Sequence, residues 1–429
     1  MNNQKVELLS PAGNLEKLKI AIKYGADAVY AGASHFSLRI RAGKEFTFET
    51  FKEGIDYAHA RGKKVYATIN GFPFNSQIEL LKKHIATMAA LKPDGFIVAA
   101  PGVVKLCREI APEIDIHLST QANVLNYLDA QVFWDMGVKR IVVAREISLK
   151  DVVEIKKHLP DMEIEIFVHG SMCFAYSGRC LVSAVQMGRV PNRGSCANDC
   201  RFEYTLYAAN EDHSTLFRLE EEPGVGTYIF NSKDMNLASH IKEILDSGAV
   251  DSLKIEGRTK SPYYAAVTAK AYREAIDDYY AGKFEADKYQ KELYTTKNRG
   301  FTDAYLIHRP FEKTDSQNHD YALSKGSYEV TGLVTQDEEH FLCKYKVYPN
   351  EDIEIFTPMG EELVECENEI GKIFKKDGIY YINFKKILTE TNKELESVHS
   401  GNVNKIKLPG TLPYLTMFRV ENIDGTIVE

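Results

Sequence analysis

The sequence lacks any long apolar segment. No run of apolar residues approaches the roughly 20 that a helix needs to cross a bilayer. The first residues lead straight into the strand-like run Val6–Ser10, without the apolar core of a secretory signal. We therefore expect a cytoplasmic protein with no membrane association. The apolar share of 44% and charged share of 27% are typical of folded domains and exclude disordered or collagen-like chains.

Cysteine is scarce as well, and its number is odd. Seven cysteines in a chain without an export signal argue against a disulfide framework. Three of them, Cys107, Cys343 and Cys366, stand alone in apolar segments, where a cysteine behaves as a small hydrophobic residue. The other four fall within 28 residues of one another, which suggests a shared role.

The first 300 residues do contain a repeated alternation of strands and helices. Eight short β-branched runs each precede a polar or Gly-rich turn and a segment of helical period. The predicted strands are Val6–Ser10, Asp27–Ala31, Lys64–Asn70, Gly95–Ala99, Asp115–Thr120, Arg140–Ala144, Glu163–Val168 and Ser252–Glu256. This pattern predicts a (β/α)8, TIM-like barrel. A doubly wound open sheet is the alternative, although no Gly-rich dinucleotide fingerprint follows the first strand.

The signals for helix ends agree with this alternation. Asn14 is a predicted N-cap of the first helix. Gly25, Gly137 and Gly248 each stand where a helix ends, just before a strand. If the fold is a barrel, functional residues belong at the carboxyl ends of its strands.

The pattern changes near residue 308. Alternating runs over Tyr328–Val334, His340–Val347, Asp352–Phe356, Gly371–Phe374 and Gly378–Phe384 predict a small C-terminal antiparallel β domain, barrel-like in form. From Arg309 onward, 14 Lys and Arg face 22 Asp and Glu, a net charge of −8, whereas the first 308 residues balance at 39 against 39. We predict a barrel over residues 1–285 with a cysteine-rich insertion at 170–230, a linker over 286–320 and the β domain over 321–429.

The cysteine group follows the seventh predicted strand. Cys173, Cys180, Cys196 and Cys200 have the spacing C-x6-C-x15-C-x3-C. Structural zinc usually has two tight cysteine pairs, and only the second pair here is tight. Iron–sulfur clusters need four thiolates and accept looser spacing. The spacing favours iron–sulfur, with zinc and unrelated thiols left as alternatives.

A nucleophilic cysteine is the competing interpretation. Cys173 or Cys180 would attack, with His169 as the general base. That role would leave three neighbouring cysteines without a purpose. A structural role, in which His169 only makes hydrogen bonds, fits the sequence as well as the catalytic role does.

Several stretches of the chain resemble the collagenase-like peptidase family of unassigned catalytic type (family U, number thirty-two). They are Leu8–Asn14, Phe36–Ala42, His59–Tyr66, Glu165–Ser183, Gly194–Arg201, Asn231–Asp234 and Leu253–Arg258. The resemblance spans about residues 5–285 and is closest to the branch that hydroxylates tRNA. No Ser–His–Asp order, H-E-x-x-H motif or paired-Asp motif supports the peptidase name.

The resemblance implies an oxygen-independent RNA hydroxylase. Relatives of this kind carry a 4Fe–4S cluster on four cysteines and take a hydroxyl group from prephenate. One branch forms 5-hydroxyuridine at the tRNA wobble position, and others act on ribosomal RNA or on the ubiquinone ring. We therefore expect tRNA and prephenate as partners, and the need for a paralogous partner subunit is left open. A peptidase and a zinc-stapled RNA-binding module remain alternatives.

Roles follow for the residues at the predicted strand ends. Prephenate is a dicarboxylate and needs cationic partners, preferably arginines. The candidates are Arg39, Arg41, Arg145 and Arg258, with Lys254 assisting. Glu256 is placed for proton transfer or for orienting Arg258, and Gln121 and Asn123 are placed to bind hydroxyl groups or base edges. Arginines and aromatic residues that alternate around the cysteines are candidates for RNA contacts, namely Phe174, Tyr176, Arg179, Arg189, Arg193, Arg201 and Phe202.

Overall fold

The computed structural model describes most of the chain. The described residues are 5–33, 36–37, 46–173, 175–193, 195–202, 204, 206–209, 216–219, 231–308, 313–316, 318 and 326–422. Arg39, Arg41 and Phe174, and the side chain of Arg193, lie outside the described part, so the roles predicted for them stay predictions.

Eight parallel strands form a closed barrel, which confirms the predicted fold. From the first strand to the seventh, strands alternate with helices along the chain. The strands are β1 Glu7–Pro11, β2 Ala28–Ala31, β3 Lys64–Ile69, β4 Gly95–Val98, β5 Asp115–Leu118, β6 Arg140–Val142 and β7 Glu163–Ser171. The helices are α1 Leu15–Lys23, α2 Phe48–His59, α3 Ile78–Ala90, α4 Pro101–Ile110, α5 Tyr127–Asp135 and α6 Leu149–His158.

The predicted helix boundaries are confirmed as well. The Asn14 side chain accepts a hydrogen bond from the backbone N–H of Lys17 at 2.9 Å and so caps α1. Gly25, Gly137 and Gly248 all have positive φ, the conformation that a helix end of this kind requires.

An insertion follows β7. It contains α7 Val182–Met187 and the antiparallel pair β8 Leu206–Ala209 and β9 Leu216–Leu219. It ends in β10 Asp234–Asn236, which pairs antiparallel with the last residues of β7. This pairing explains why β7 runs on to Ser171, beyond the predicted end at Val168.

The barrel closes after this insertion. The closing strand is β11 Ser252–Ile255, which pairs in parallel with both β1 and β7. The remaining elements of this part are α8 Ile241–Asp246, α9 Pro262–Tyr280, α10 Ala286–Leu293, β12 Phe301–Thr302 and α11 Lys313–Ser316. Part of the predicted linker packs against the barrel, since Tyr289 and Leu293 of α10 are buried and β12 pairs with β10.

The C-terminal strands form an antiparallel eight-stranded sheet, as predicted. In sheet order they are β17 Cys366–Glu367, β18 Gly371–Lys376, β19 Ile379–Phe384, β16 Asp352–Phe356, β24 Met417–Glu421, β13 Tyr328–Val334, β14 His340–Cys343 and β23 Ile406–Lys407. Two short pairs accompany them, β15 Lys346–Val347 with β22 Val398–His399, and β20 Ile387–Leu388 with β21 Glu394–Leu395.

The C-terminal sheet packs on the outside of the barrel, against α1 and α9. The buried Tyr24 hydroxyl at the end of α1 donates to the carbonyl oxygens of Phe356 and Leu415 at 2.9 and 3.0 Å. Arg419 of β24 donates to the Tyr263 hydroxyl of α9 at 2.9 Å. None of the described helices is long and apolar enough to span a membrane.

Candidate active site

The carboxyl ends of the barrel strands surround a cavity of about 160 Å³, which we call the rim cavity. Barrel strands and the insertion both contribute to its wall. The lining residues used below are Tyr30, Thr68, Ser119, Gln121, Arg145, Phe167, Cys173, Tyr176, Gly178, Cys180, Cys196, Cys200, Arg201, Lys254, Glu256 and Arg258. Most of the predicted site residues therefore meet at one place, where a barrel of this kind carries its active site.

All four clustered cysteines line the rim cavity. Cys173 follows the end of β7 and is exposed, whereas Cys180, Cys196 and Cys200 are half-buried. Burial raises the pKa of the Cys180 and Cys200 thiols, and the neighbouring thiolates raise it further. Such thiols become thiolates when a metal coordinates them.

The donor set fits an iron–sulfur cluster. Four cysteine thiols lie in one cavity wall, and a 4Fe–4S cluster takes four cysteine ligands, one at each iron. The same four cysteines are also a donor set for zinc, which takes its ligands around a single point.

Local packing holds the cysteine loop against the barrel. Gly178 has φ +72°, and a Cβ there would lie 2.4 Å from the carbonyl oxygen of Gln121. Only glycine allows this approach, two residues before Cys180. The backbone N–H of Ser177 also donates to the Glu146 carboxylate at 2.9 Å. The loop is thus fixed to the segments that follow β5 and β6.

Two arginines of the rim cavity are held in place by neighbouring side chains. The Arg258 guanidinium donates to Ser37 Oγ at 2.7 Å and to Thr68 Oγ1 at 3.1 Å. The Arg145 guanidinium lies 3.9 Å from the centre of the Phe167 ring, a cation–π contact. Both guanidinium groups are therefore positioned before any ligand binds.

One carboxylate of the cavity wall lies beside these cations. Glu256 Oε2 is 3.7 Å from Arg145 and accepts a hydrogen bond from the Tyr30 hydroxyl at 3.2 Å. Burial raises the pKa of Tyr30 well above its usual value, and the Glu256 charge adds to this effect. Tyr30 is therefore a neutral donor, which Glu256 shares with the Ile255 carbonyl oxygen 3.0 Å from the hydroxyl. Tyr30 was not among the predicted site residues, and its position at a strand end was the available signal.

Lys254 has a different setting from the arginines. Its ammonium group is 2.6 Å from Glu165, which is fully buried one strand away. It also lies 4.6 Å from the centre of the Tyr30 ring. Lys254 thus lines the cavity, but its positive charge is already paired with Glu165.

His169 does not line the rim cavity. Its ring is buried against the rings of Tyr264, Tyr272 and Phe301, with centroids 5.8, 5.6 and 5.4 Å away. Burial lowers the pKa of His169 to about 3, so the side chain is neutral. This setting matches the structural interpretation of His169 better than the catalytic one.

Asn123 lines a neighbouring cleft of about 490 Å³ instead. Asp129, Tyr176 and Arg179 also line this cleft, and Tyr176 is common to both spaces. Tyr176 and Phe202 are 60% and 44% exposed, so their rings are open to stacking. Arg189 is exposed on the same insertion.

These features define a class of protein: a closed parallel (β/α)8 barrel whose strand ends carry a cavity lined by thiols and cations. The chain matches the model described as Peptidase family U32 over residues 13–316. It belongs to that family, which confirms the resemblance found in the sequence motifs.

Three similar proteins have names that refer to different activities. A Helicobacter pylori protein named tRNA hydroxylation protein P is 63% identical over 417 residues, which covers 97% of this chain and 99% of that protein. An Escherichia coli protein named as a 23S rRNA 5-hydroxycytidine synthase is 33% identical over 277 residues, 65% of this chain and 40% of that protein. A Porphyromonas gingivalis protein named Collagenase is 29% identical over 392 residues, 88% of this chain and 87% of that protein.

Proposed function

We propose that this chain is a tRNA hydroxylase that forms 5-hydroxyuridine at the wobble position without oxygen. In this proposal prephenate donates the hydroxyl group, and a 4Fe–4S cluster is held by Cys173, Cys180, Cys196 and Cys200. The observation that carries the proposal is that, among the described residues, one cavity is lined by four thiols, several cations and a single carboxylate. The name of the relative with 63% identity supports tRNA as the substrate.

The cluster would contribute one-electron chemistry at the wall of the rim cavity. The role of the protein is to place a hydroxyl donor and a base against that wall. The reaction replaces the C5–H bond of uridine with C5–OH. The hydroxyl group leaves a carbon of the donor, and the hydrogen lost from C5 completes the donor product. Uridine is thereby oxidised by two electrons and the donor is reduced by two.

Two fixed arginines suit a donor with two carboxylates. Arg145 and Arg258 are held by Phe167 and by the Ser37 and Thr68 hydroxyls before ligand binding. Guanidinium groups bind carboxylates through paired hydrogen bonds. A preorganised pair loses little side-chain entropy when the ligand binds. This arrangement supports prephenate or a closely similar dicarboxylate as donor.

Glu256 is the group in the cavity wall that is suited to moving a proton. The Tyr30 hydroxyl donates to its carboxylate, and the Arg145 charge lies 3.7 Å away. A carboxylate held in this way is able to accept a proton as C5 is substituted. Glu256 is therefore the proposed general base.

The insertion supplies the proposed RNA contacts. Tyr176 and Phe202 expose their rings, and Arg179, Arg189 and Arg201 are interspersed with them. Single-stranded RNA loops are recognised by base stacking on aromatic rings and by cation contacts to phosphates. A wobble nucleotide lies in such a loop and is free to leave its stack.

A peptidase is the alternative that the family name suggests. It would need a base for Cys173, and the buried, neutral His169 does not line the cavity that Cys173 lines. Hydroxylation of ribosomal RNA is a second alternative, supported by the name of the Escherichia coli relative.

Anaerobic absorbance spectra with iron and sulfide analysis test the cluster. We expect brown protein, and loss of colour and iron when any one of the four cysteines is replaced by Ala. Cys343→Ala is the matched control, because Cys343 is buried within the C-terminal sheet. Stoichiometric zinc in colourless protein would instead support a zinc-stapled module.

Mass spectrometry of tRNA nucleosides tests the reaction. Deleting the gene, together with any paralogue, should remove 5-hydroxyuridine derivatives, and blocking prephenate synthesis should do the same. Unchanged derivatives would contradict the tRNA assignment. New loss of a ribosomal 5-hydroxycytidine would favour the second alternative. Proteolysis that persists without iron and disappears in Cys173→Ala would favour a peptidase.

A further inference from the structure

The Gln121 side chain belongs to a residue that lines the rim cavity and is not fully paired with the described residues. Gln121 lies in the 3-10 turn Thr120–Ala122 that follows β5, and its side chain is only 5% exposed. Its amide nitrogen is buried and has no hydrogen-bond partner among the described residues. Burying an unsatisfied donor is unfavourable. A ligand that offers an acceptor at this position removes that cost.

Ser119 determines which end of the Gln121 amide is left unpaired. The Ser119 hydroxyl oxygen accepts from the Gln121 backbone N–H at 3.5 Å, and the hydroxyl donates to Gln121 Oε1 at 3.2 Å. The amide oxygen is therefore occupied. The two N–H donors of the side chain, on a residue that lines the rim cavity, are left without a partner among the described residues.

The two pyrimidines differ at the position that such a donor would contact. Uridine has a carbonyl acceptor at C4, whereas cytidine has an amino donor there. We infer that the Gln121 amide reads the C4 carbonyl of the target base and so selects uridine over cytidine. This inference rests on the proposed function and names the group that sets its specificity.

The position of Gln121 fits the atom that reacts. C4 is bonded to C5, so a hydrogen bond to the C4 carbonyl fixes the carbon to be hydroxylated one bond away. The cysteine loop packs directly on the Gln121 backbone through Gly178, two residues before Cys180. The contact that reads the base therefore lies beside the wall that carries the proposed cluster.

The test compares two RNA stem-loops that differ only in uridine or cytidine at the target position. Wild-type holoenzyme should hydroxylate the uridine stem-loop with a strong preference. Gln121→Glu replaces the amide donor with a carboxylate acceptor, which suits the cytidine amino group. We expect the ratio of uridine to cytidine turnover to fall at least about tenfold. Gln131→Glu, the same change on the exposed face of α5, should leave the ratio unchanged.

Ser119→Ala tests the orientation of the amide independently. It removes the hydroxyl that holds Gln121 Oε1, so the turnover ratio should fall while the cluster absorbance and the thermal midpoint stay near wild type. If Gln121→Glu fails to fold, an unchanged ratio in Ser119→Ala overturns the inference.

The outcomes separate this inference from the proposed function. Wild-type holoenzyme that hydroxylates neither stem-loop contradicts the proposed function itself. Wild-type enzyme that hydroxylates uridine, with an unchanged ratio in folded Gln121→Glu, overturns the role of Gln121 alone.

Discussion

The barrel contains two groups of charged side chains, which differ in charge balance. At the amino ends of the strands, Arg140 lies 2.5 Å from Glu7, 2.7 Å from Glu163 and 3.2 Å from Glu165. Lys254 lies 2.6 Å from Glu165. We call these five side chains the lower network.

The lower network has three carboxylates and two cations, whereas the rim cavity at the other end has an excess of cations. Its wall carries the cations Arg145, Arg201, Lys254 and Arg258, and Glu256 is its one described carboxylate. Only Lys254 also belongs to the lower network. In such barrels the amino ends of the strands contribute to stability and the carboxyl ends to function. The comparison therefore assigns folding to the lower network and anion binding to the rim cavity.

The largest expected effect comes from breaking the lower network. Arg140→Gln leaves Glu7 and the fully buried Glu165 without their shared cation. Removing one partner of a buried ion pair typically costs about 3–5 kcal/mol. Urea denaturation should show this loss in the free energy of unfolding. Arg145→Gln, the same substitution in the rim cavity, should cost much less, and equal losses would contradict the comparison.

Acid titration gives a second measurement of the same network. Burial alone would raise the pKa of Glu7, but the Arg140 guanidinium, the Tyr66 hydroxyl and the Lys64 charge together outweigh it and hold the pKa below the usual value. A carboxyl whose pKa is depressed by folding stabilises the protein above its unfolded pKa, and that stability is lost as pH falls through the folded pKa. We therefore expect unfolding to become easier on acidification, and less steeply so in Arg140→Gln.

A smaller effect, on activity alone, is expected from Glu256→Gln. The amide keeps the shape of the side chain and still accepts from the Tyr30 hydroxyl, but it is a poor proton acceptor. Turnover of the uridine stem-loop should fall about a hundredfold, in the range typical of general-base removal. The free energy of unfolding should stay within about 1 kcal/mol of wild type, as for most substitutions away from a buried network. Unchanged turnover would show that Glu256 is not the general base.

Arg258→Ala should affect donor binding more than turnover. Losing a charge-assisted contact costs about 1.5–3 kcal/mol, so the KM for prephenate should rise about tenfold or more. The absorbance of the proposed cluster should not change, because a guanidinium binds carboxylates and is not a ligand of iron. A bleached protein with an unchanged KM would contradict the assignment of Arg258 to the donor.

Most of the barrel could be predicted because each strand is marked by the residues of its own segment, a short β-branched run followed by a turn. The predicted Asp115–Thr120 overlaps the observed Asp115–Leu118, and the difference arises because Thr120 begins a 3-10 turn. The meeting of the four cysteines was predictable too, since they follow a barrel strand and the rim is where such loops converge.

Features that depend on distant chain segments could not be predicted. His169 lies inside β7 because β10, more than 60 residues later, pairs with it. The pairing of Lys254 with Glu165 depends on the register of two strands separated by the whole insertion.

The position of Asn123 was missed for a local reason. Asn123 lines a different space from Gln121 because it adopts a left-handed conformation, φ 59°, at the end of the turn.

The smallest expected effect separates positioning from folding within the rim cavity. Thr68 Oγ1 accepts from Arg258 at 3.1 Å, donates to the Ala31 carbonyl oxygen at 3.1 Å and shares a hydrogen bond of 2.6 Å with Ser37 Oγ. Thr68→Val keeps the shape but removes all three hydrogen bonds, and Arg258 keeps its contact with Ser37 at 2.7 Å. The free energy of unfolding should fall by about 1 kcal/mol, and the KM for prephenate should rise a few-fold, less than in Arg258→Ala. Both are measurable by urea denaturation and steady-state assays on the same preparation. A loss of stability as large as that of Arg140→Gln would show that the rim cavity belongs to the folding core, and the division between the two ends of the barrel would fail.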